Sequence, residues 1–374
     1  MKILFAGGGT GGHIFPIIAI CREIRKISHG KKINFFYLGP RDPFGEIFLS
    51  QEDITIKTIL AGKIRRYLNL KSFFQNLFDV FFKIPIGIFQ SFLYVFFLAP
   101  DLIFSKGGFG SLPVVIAGWL LRTPVFLHES DSVPGIANRF LAKLSSKIFI
   151  SFPKTFYFPE DKMVLVGNPI RTELLKGEKK EAKDFLKIKG DKPVILILGG
   201  SQGAQRINDK IVEILPEILK KFELIHQCGE KNFKEVKSES RIMISRELEK
   251  YYHLFPILKE HELKRAYAVS DLIVSRAGSG TIFEIAAMGK PSILIPLPEA
   301  AQNHQLENAY KFNQKRGVAM VLEEENFTPH FFLEKLKYLF SHPQELENMS
   351  QEAKKFAKPE AAKIIANYLV KYLI

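Results

Sequence analysis

A histidine stands directly after a run of glycines, Gly7-Gly8-Gly9-Thr10-Gly11-Gly12-His13, and a second glycine turn, Gly199-Gly200-Ser201-Gln202-Gly203, occurs in the other half of the chain. Backbone N–H groups in such loops, together with the helix N-terminus that follows, can meet a phosphate or a sugar hydroxyl. His13 beside such a loop is a general base or a hydrogen-bond donor to a reacting sugar, or it packs beneath the loop as a structural residue. Ser201 serves as a helix cap, a phosphate ligand, or both. A third turn, Ser275-Arg276-Ala277-Gly278-Ser279-Gly280-Thr281-Ile282-Phe283-Glu284, ends in a carboxylate near a helix start. Thr281 and Glu284 have capping-box spacing, so Glu284 either reaches back to a backbone N–H or accepts the two hydroxyls of a ribose. Downstream, Gln302-Asn303-His304-Gln305 offers amides and an imidazole to neutral hydroxyls.

The elements that must position these residues are strands and helices in alternation. Lys2-Ile3-Leu4-Phe5-Ala6 and Val194-Ile195-Leu196-Ile197-Leu198 precede the two glycine turns, and both read as central parallel strands covered on two faces. Further strands are expected at 33–38, 101–104, 124–128 and 147–151, and in the second half at 222–227, 241–245, 271–274, 292–295 and 318–321. The pattern predicts α/β architecture with two nucleotide-fold domains of parallel strands. They are expected over 1–165 and 166–342, with a helical tail at 343–374 and a hinge within 161–192. Gly7, Gly9 and Gly12 match G-x-G-x-x-G, yet the second strand ends in Gly39-Pro40-Arg41 with Asp42 too late to hold a ribose, which disfavours NAD.

Composition narrows the partners. The chain has 374 residues and a formal charge of +14, and residues 1–165 hold 20 Lys and Arg against 11 Asp and Glu. A basic first half suits a phosphorylated substrate or an anionic membrane face. No nucleic-acid partner is expected, because no recognition motif accompanies the charge. Two distant cysteines, Cys21 and Cys228, fit a reducing cytoplasm, and no secretion leader is expected ahead of the first strand. There is no Asp-x-Asp, so no metal and no cofactor are expected, and a diphosphate would be met by helix termini, amides and Arg171.

Nine of the 34 phenylalanines fall between Phe73 and Phe97, preceded by Lys63, Arg65, Arg66 and Lys71. The 17 uncharged residues between Lys83 and Asp101 are short for a span and contain Pro85 and Gly87. The stretch 64–98 is therefore either a buried helix pair or an interfacial membrane-docking surface, with Phe89, Phe92 and Phe96 expected to dock.

In order and spacing, these motifs resemble the MurG family of bacterial UDP-N-acetylglucosamine (UDP-GlcNAc) transferases, in glycosyltransferase family 28. The likeness includes Pro16, Lys106-Gly107-Gly108-Phe109, His128-Glu129, Gly167-Asn168-Pro169 with Arg171, and Asn308-Ala309. It implies a GT-B architecture, two Rossmann-like domains whose parallel sheets face across a cleft, with the donor held mainly by the second domain and a lipid acceptor by the first. It implies inverting transfer of GlcNAc to the MurNAc 4-hydroxyl of undecaprenyl-diphosphate-MurNAc-pentapeptide (lipid I), by a peripheral protein on the cytoplasmic membrane face. By position, Thr10, Gly11, Gly12, Arg171, Ser201, the run Ser279, Gly280, Thr281, Ile282, Phe283 and Glu284, and Gln305 carry over as UDP-GlcNAc contacts. His13 carries over as catalytic, with Glu129 or Asp131 as an alternative base.

Two positions depart from the family pattern. Ser130-Asp131 stands where Gln-Asn is common, leaving Asp131 to accept the sugar hydrogen bond, and Phe109 replaces a tyrosine found in some members. Another lipid acceptor such as diacylglycerol, a UDP-sugar 2-epimerase activity, and a non-catalytic UDP-sugar-binding protein are the competing expectations.

Overall fold

The computed structural model describes residues 1–8, 11–28, 30–63, 65, 70–153, 156–188, 190–200, 203–314 and 317–373. The chain divides into two compact units, Met1–Ile170 with Pro359–Ile374, and Arg171–Lys358. The boundary falls between Ile170 and Arg171, inside the segment where a hinge was expected.

The N-terminal unit is built on a seven-stranded parallel sheet. Its strands are β1 (Lys2–Ala6), β2 (Asn34–Gly39), β3 (Thr55–Thr58), β4 (Leu102–Ser105), β5 (Val125–Glu129), β6 (Lys147–Ile150) and β7 (Met163–Leu165), in the order β3-β2-β1-β4-β5-β6-β7. The two-residue side-chain period sends Ile3 and Phe5 to one face, with Phe35, Phe104, Phe126 and Phe149. Leu4 and Ala6 go to the other, with Ile103, Leu127 and Val115. Because both faces are covered, the central strands are continuously apolar.

The C-terminal unit repeats the plan with β8 (Val194–Leu198), β9 (Glu223–Gln227), β10 (Tyr252–Phe255), β11 (Leu272–Ser275), β12 (Ser292–Leu294) and β13 (Met320–Val321), ordered β10-β9-β8-β11-β12-β13. Both orders reverse beside the first strand of the unit, and the crevice at such a reversal is where doubly wound sheets bind ligands. The strand expected at 241–245 is instead the end of the helix Phe233–Met243, and the sheet takes Tyr252–Phe255. A short apolar run does not by itself separate helix from strand, and here Ile242 is 82% exposed on a helix surface.

The expected tail does not act as one piece. Pro343–Phe356 packs in the C-terminal unit, where the Phe356 ring lies 5.2 Å from Phe283 and 4.9 Å from Phe312. The helix Ala361–Leu373 completes the N-terminal core, burying Ala362, Ile365, Ala366, Leu369 and Val370, a stripe at i, i+3, i+4, i+7 and i+8.

The phenylalanine-rich stretch is one continuous helix, Leu70–Leu98, with a π-helical turn at Asp79–Lys83. The wide turn rephases the helix, so that Asp79 shares its buried face with Gly87, Ser91 and Val95. A side chain at Gly87 would collide with the Leu60 carbonyl, so only glycine lets the helix sit this closely. Asp79 accepts hydrogen bonds from the Arg65 guanidinium (2.8 Å) and Lys63 N (3.1 Å) and pairs with Lys83 (2.7 Å). The opposite face leaves Phe74, Phe81, Phe89, Phe96 and Phe97 exposed, so the buried helix pair is not what forms. Ser72–Leu98 contains an 18-residue window of mean hydropathy 1.7 and is long and apolar enough to cross a membrane. Its buried face, however, is seated on its own unit through Asp79, Gly87 and Val95.

Candidate functional site

In the N-terminal unit the ends of β1, β4 and β5 converge. The turn after β1 leads into the helix Gly11–Ile27, which begins with Gly11 and Gly12 and carries His13 in its first turn; Thr10 lies outside the described residues. Tyr37 Oη donates to the Gly7 carbonyl at 3.2 Å and braces that turn from β2. The His13 ring lies against two glycines. A Cβ placed on Gly8 would sit 3.5 Å from its Cε1 and Nδ1, and one on Gly108 would sit 3.1 Å from its Nε2. Gly108 also has φ of 78°, so any side chain there would be strained as well as crowded. Desolvation and the Lys106 charge hold the His13 pKa down to about 4, with Asp131 acting in the opposite direction. The imidazole is therefore neutral and able to accept a proton at neutral pH.

Beside it is a buried polar cluster. Lys106, 1% exposed, places Nζ 2.8 Å from His128 Nδ1 and donates to Ser130 Oγ. An ammonium can only donate, so His128 Nδ1 accepts; its Nε2–H then donates to the Gly167 carbonyl at 3.1 Å. Glu129 is turned inward: Oε1 accepts from Asp131 N (2.9 Å) and Oε2 from Asn138 Nδ2 (2.7 Å). Burial raises the Glu129 carboxyl above its ordinary range and lowers the Lys106 ammonium below its own. Glu129 is buried, whereas Asp131 is half-buried.

In the C-terminal unit β11 runs into the helix Ser279–Met288, whose N-cap is Gly278. Thr281 is inside the first turn, so the capping box does not form. Glu284 instead takes a hydrogen bond from Tyr267 Oη on Oε2 (2.8 Å) and pairs through Oε1 with Arg171 (3.5 Å), which also contacts Glu260 (3.3 Å). Ile282 and Phe283 bury their side chains completely, and the Ile282 amide donates to the Gly278 carbonyl. Helix geometry leaves the earlier amides, those of Gly280 and Thr281 among them, without intrahelical acceptors. Of this run, the Ile282 and Phe283 side chains belong to the core, and the first-turn amides are the ones helix geometry leaves for a ligand.

Gln305 uses Oε1 to accept from Leu297 N at 3.0 Å, pinning the loop after β12, while His304 Nδ1 donates to the Ala301 carbonyl at 2.7 Å. A cavity of about 490 Å³ adjoins that loop, lined by residues that include Arg206, Lys210, Leu297, Asn303 and Glu324. Buried Glu324 joins Arg206 (2.6 Å) and Arg276 at its edge. Ser201 lies outside the described residues. Sequence reading passed over Lys106 as a site residue, and Asn138 and Tyr267 entirely. Lys106 was visible in its glycine motif, whereas the other two carry no local signal.

A doubly wound sheet in each unit, glycine turns at the strand ends and a carboxylate beside a helix start define a GT-B-like, sugar-nucleotide-dependent enzyme. Residues 3–150 match the glycosyltransferase family 28 N-terminal domain and residues 194–365 its C-terminal domain. The chain is 38% identical over 370 residues to UDP-N-acetylglucosamine–N-acetylmuramyl-(pentapeptide) pyrophosphoryl-undecaprenol N-acetylglucosamine transferase 3 of Bacillus thuringiensis (strain Al Hakam), covering 98% of this chain and 99% of that one. It is 36% identical over 370 residues to the transferase of the same name, without a number, from Clostridium tetani (strain Massachusetts / E88), covering 98% of each. Among solved structures, Acinetobacter baumannii MurG superposes with a TM-score of 0.72 at 26% identity over 99% of each chain. A UDP-GlcNAc 2-epimerase from Neisseria meningitidis, at 18% identity and a TM-score of 0.65 over 99% of this chain and 100% of that one, shares the fold. The chain belongs to the MurG family, within glycosyltransferase family 28.

Proposed function

We propose that the protein transfers GlcNAc from UDP-GlcNAc to the MurNAc 4-hydroxyl of lipid I, forming the disaccharide-linked lipid used in peptidoglycan synthesis. The observation that carries this reading is the near-full-length identity to transferases named for that reaction, higher than that to any epimerase considered above. The amides of Ser279–Thr281 and the helix dipole face the donor diphosphate, and Glu284 accepts the ribose hydroxyls. Gly11 and Gly12 supply the helix end of the N-terminal unit. The 4-hydroxyl loses its proton to His13, or to Asp131, as its oxygen attacks the anomeric carbon; the configuration inverts and UDP leaves. Transfer of labelled GlcNAc to a short-chain lipid I analogue tests the reading, with Glu284→Ala expected to raise KM for UDP-GlcNAc by about tenfold or more, the loss of charge-assisted hydrogen bonds. Binding of UDP-GlcNAc without any transfer would move the function to another acceptor or to a binding role.

In this reading the exposed face of Leu70–Leu98 is the membrane contact, and the protein works peripherally on the cytoplasmic, anionic membrane surface. Arg65 and Lys83 are partly spent on Asp79, so aromatic insertion contributes more here than the basic sequence suggests. Phe92 is half-buried against the core and Phe97 is 78% exposed, so the informative variant is Phe89→Ser with Phe96→Ser and Phe97→Ser. Sedimentation with anionic vesicles should show binding weakened about tenfold or more, less than one fully buried phenylalanine would supply. Unchanged binding by the folded triple variant would remove this face as the docking surface.

A further inference from the structure

The N-terminal site contains a buried cation that the reaction as described does not use. Lys106 leaves the end of β4 and runs under the first glycine turn: a Cβ on Gly7 would sit 3.4 Å from His13 Cβ and 3.6 Å from Lys106 Cβ, so the two residues flank one glycine. At its far end the ammonium reaches His128 Nδ1 and Ser130 Oγ. Ser130 is the middle residue of the Glu129–Asp131 segment, and Glu129 and Asn138 tie that segment to Gly108, whose amide donates to Asn138 Oδ1 at 2.9 Å. Gly108 in turn backs the His13 ring. We infer that Lys106 is the positioning residue of this site, its ammonium fixing the Glu129–Asp131 segment through Ser130 and His128 and presenting a buried charge beside His13.

Two consequences follow. Because Lys106 donates to Nδ1, His128 is held as the neutral Nε2–H tautomer and locks Gly167 in place. Among the described residues, the charged and titratable groups that act on His13 are Lys106, Asp131 and His128, on the segments after β4 and at the end of β5. Of these the Lys106 cation opposes protonation of His13 and Asp131 favours it, so Lys106 adds to the burial that is the larger cause of the lowered His13 pKa. The same cation offsets the carboxylate that Asp131 brings where an asparagine is common in the family, so Lys106 and Asp131 form a functional pair.

The test rests on the transferase reading for its kinetic part only. Lys106→Met keeps the stem and removes the charge. Labelled-histidine NMR on the full chain should show His13 titrating upward from about 4 by about one pH unit or more, the usual effect of removing a nearby like charge. In the transfer assay kcat should fall about 100-fold, its acid limb should move up by the same interval, and KM for UDP-GlcNAc should stay within about twofold. Lys106→Arg should keep the low His13 titration. If Lys106→Met does not fold, Lys106→Met with Asp131→Asn removes the pair together, and His13 should still move upward, though less. An unmoved His13 titration in the folded Lys106→Met protein, alone or with Asp131→Asn, would overturn the proposal, whatever happens to kcat. A moved titration in a protein that transfers no GlcNAc would uphold the electrostatic role and overturn the reading of the reaction.

Discussion

His13→Ala should lower kcat for GlcNAc transfer by roughly 10²–10⁴-fold, the ordinary contribution of a positioned general base, while leaving KM for UDP-GlcNAc within a few-fold. The expectation rests on three features. His13 sits in the first turn of a helix whose start is a glycine turn, its ring is backed by Gly8 and Gly108, and it is neutral at neutral pH. The cavity left by alanine opens between two glycine backbones and not in a hydrocarbon core, so the fold should survive. His13→Gln, which retains a hydrogen-bonding tip but no proton-accepting nitrogen, should be nearly as impaired. Measured by single-turnover transfer, a loss of less than about tenfold in both variants would shift the base to Asp131.

The second large effect concerns acid. His226 is fully buried on β9, with Nε2 3.0 Å from Asn208 Oδ1 and Nδ1 2.9 Å from Tyr252 Oη, and desolvation lowers its pKa to about 3. In the unfolded chain the same histidine titrates near 6.5. Between those values the unfolded state binds the extra proton, so stability rises with pH there and is lost as the pH falls from about 6.5 towards 3. The slope is about 1.4 kcal/mol per pH unit for one histidine. From pH 6 to pH 4 the C-terminal unit should therefore lose roughly 2 to 3 kcal/mol through His226, a large part of a typical domain's stability. The N-terminal unit holds His13 and His128, both displaced the same way, but Glu129 is raised by burial and so opposes them. Its acid slope should be shallower than two histidines would give. Urea unfolding of the full chain at several pH values, compared with His226→Gln, measures the difference, and equal slopes in the two proteins would mean that His226 is not the titrating group.

The sequence by itself determined the repeating architecture. β1 after Lys2 and the whole of β8 are unbroken apolar runs followed by glycine turns, and a strand covered on both faces has few polar positions to spare. The same logic made His13, Arg171 and Glu284 legible, since each lies within a few residues of a turn or motif whose geometry is local. Family likeness added the reaction, which periodicity alone does not contain.

What only the tertiary structure decided depends on groups distant in the chain. The spacing of Thr281 and Glu284 suits a capping box, but Tyr267 and Arg171 take the carboxylate instead, a competition that no local pattern records. Glu129 is a candidate base by its position, but that Asn138 and the Asp131 amide each hold one of its oxygens is visible only in the fold. The phenylalanine-rich helix could have been core or surface by composition alone. It was settled by a π-helical turn that carries Asp79 onto the buried face and by the close contact of Gly87 with Leu60, both of which depend on a loop that precedes the helix. The C-terminal helix likewise carries a legible stripe, yet which core it completes is fixed by packing against β-sheet side chains hundreds of residues away. Local periodicity fixes which face of an element is apolar; the partner that covers that face, and the charge that sits beside a histidine, are properties of the folded chain.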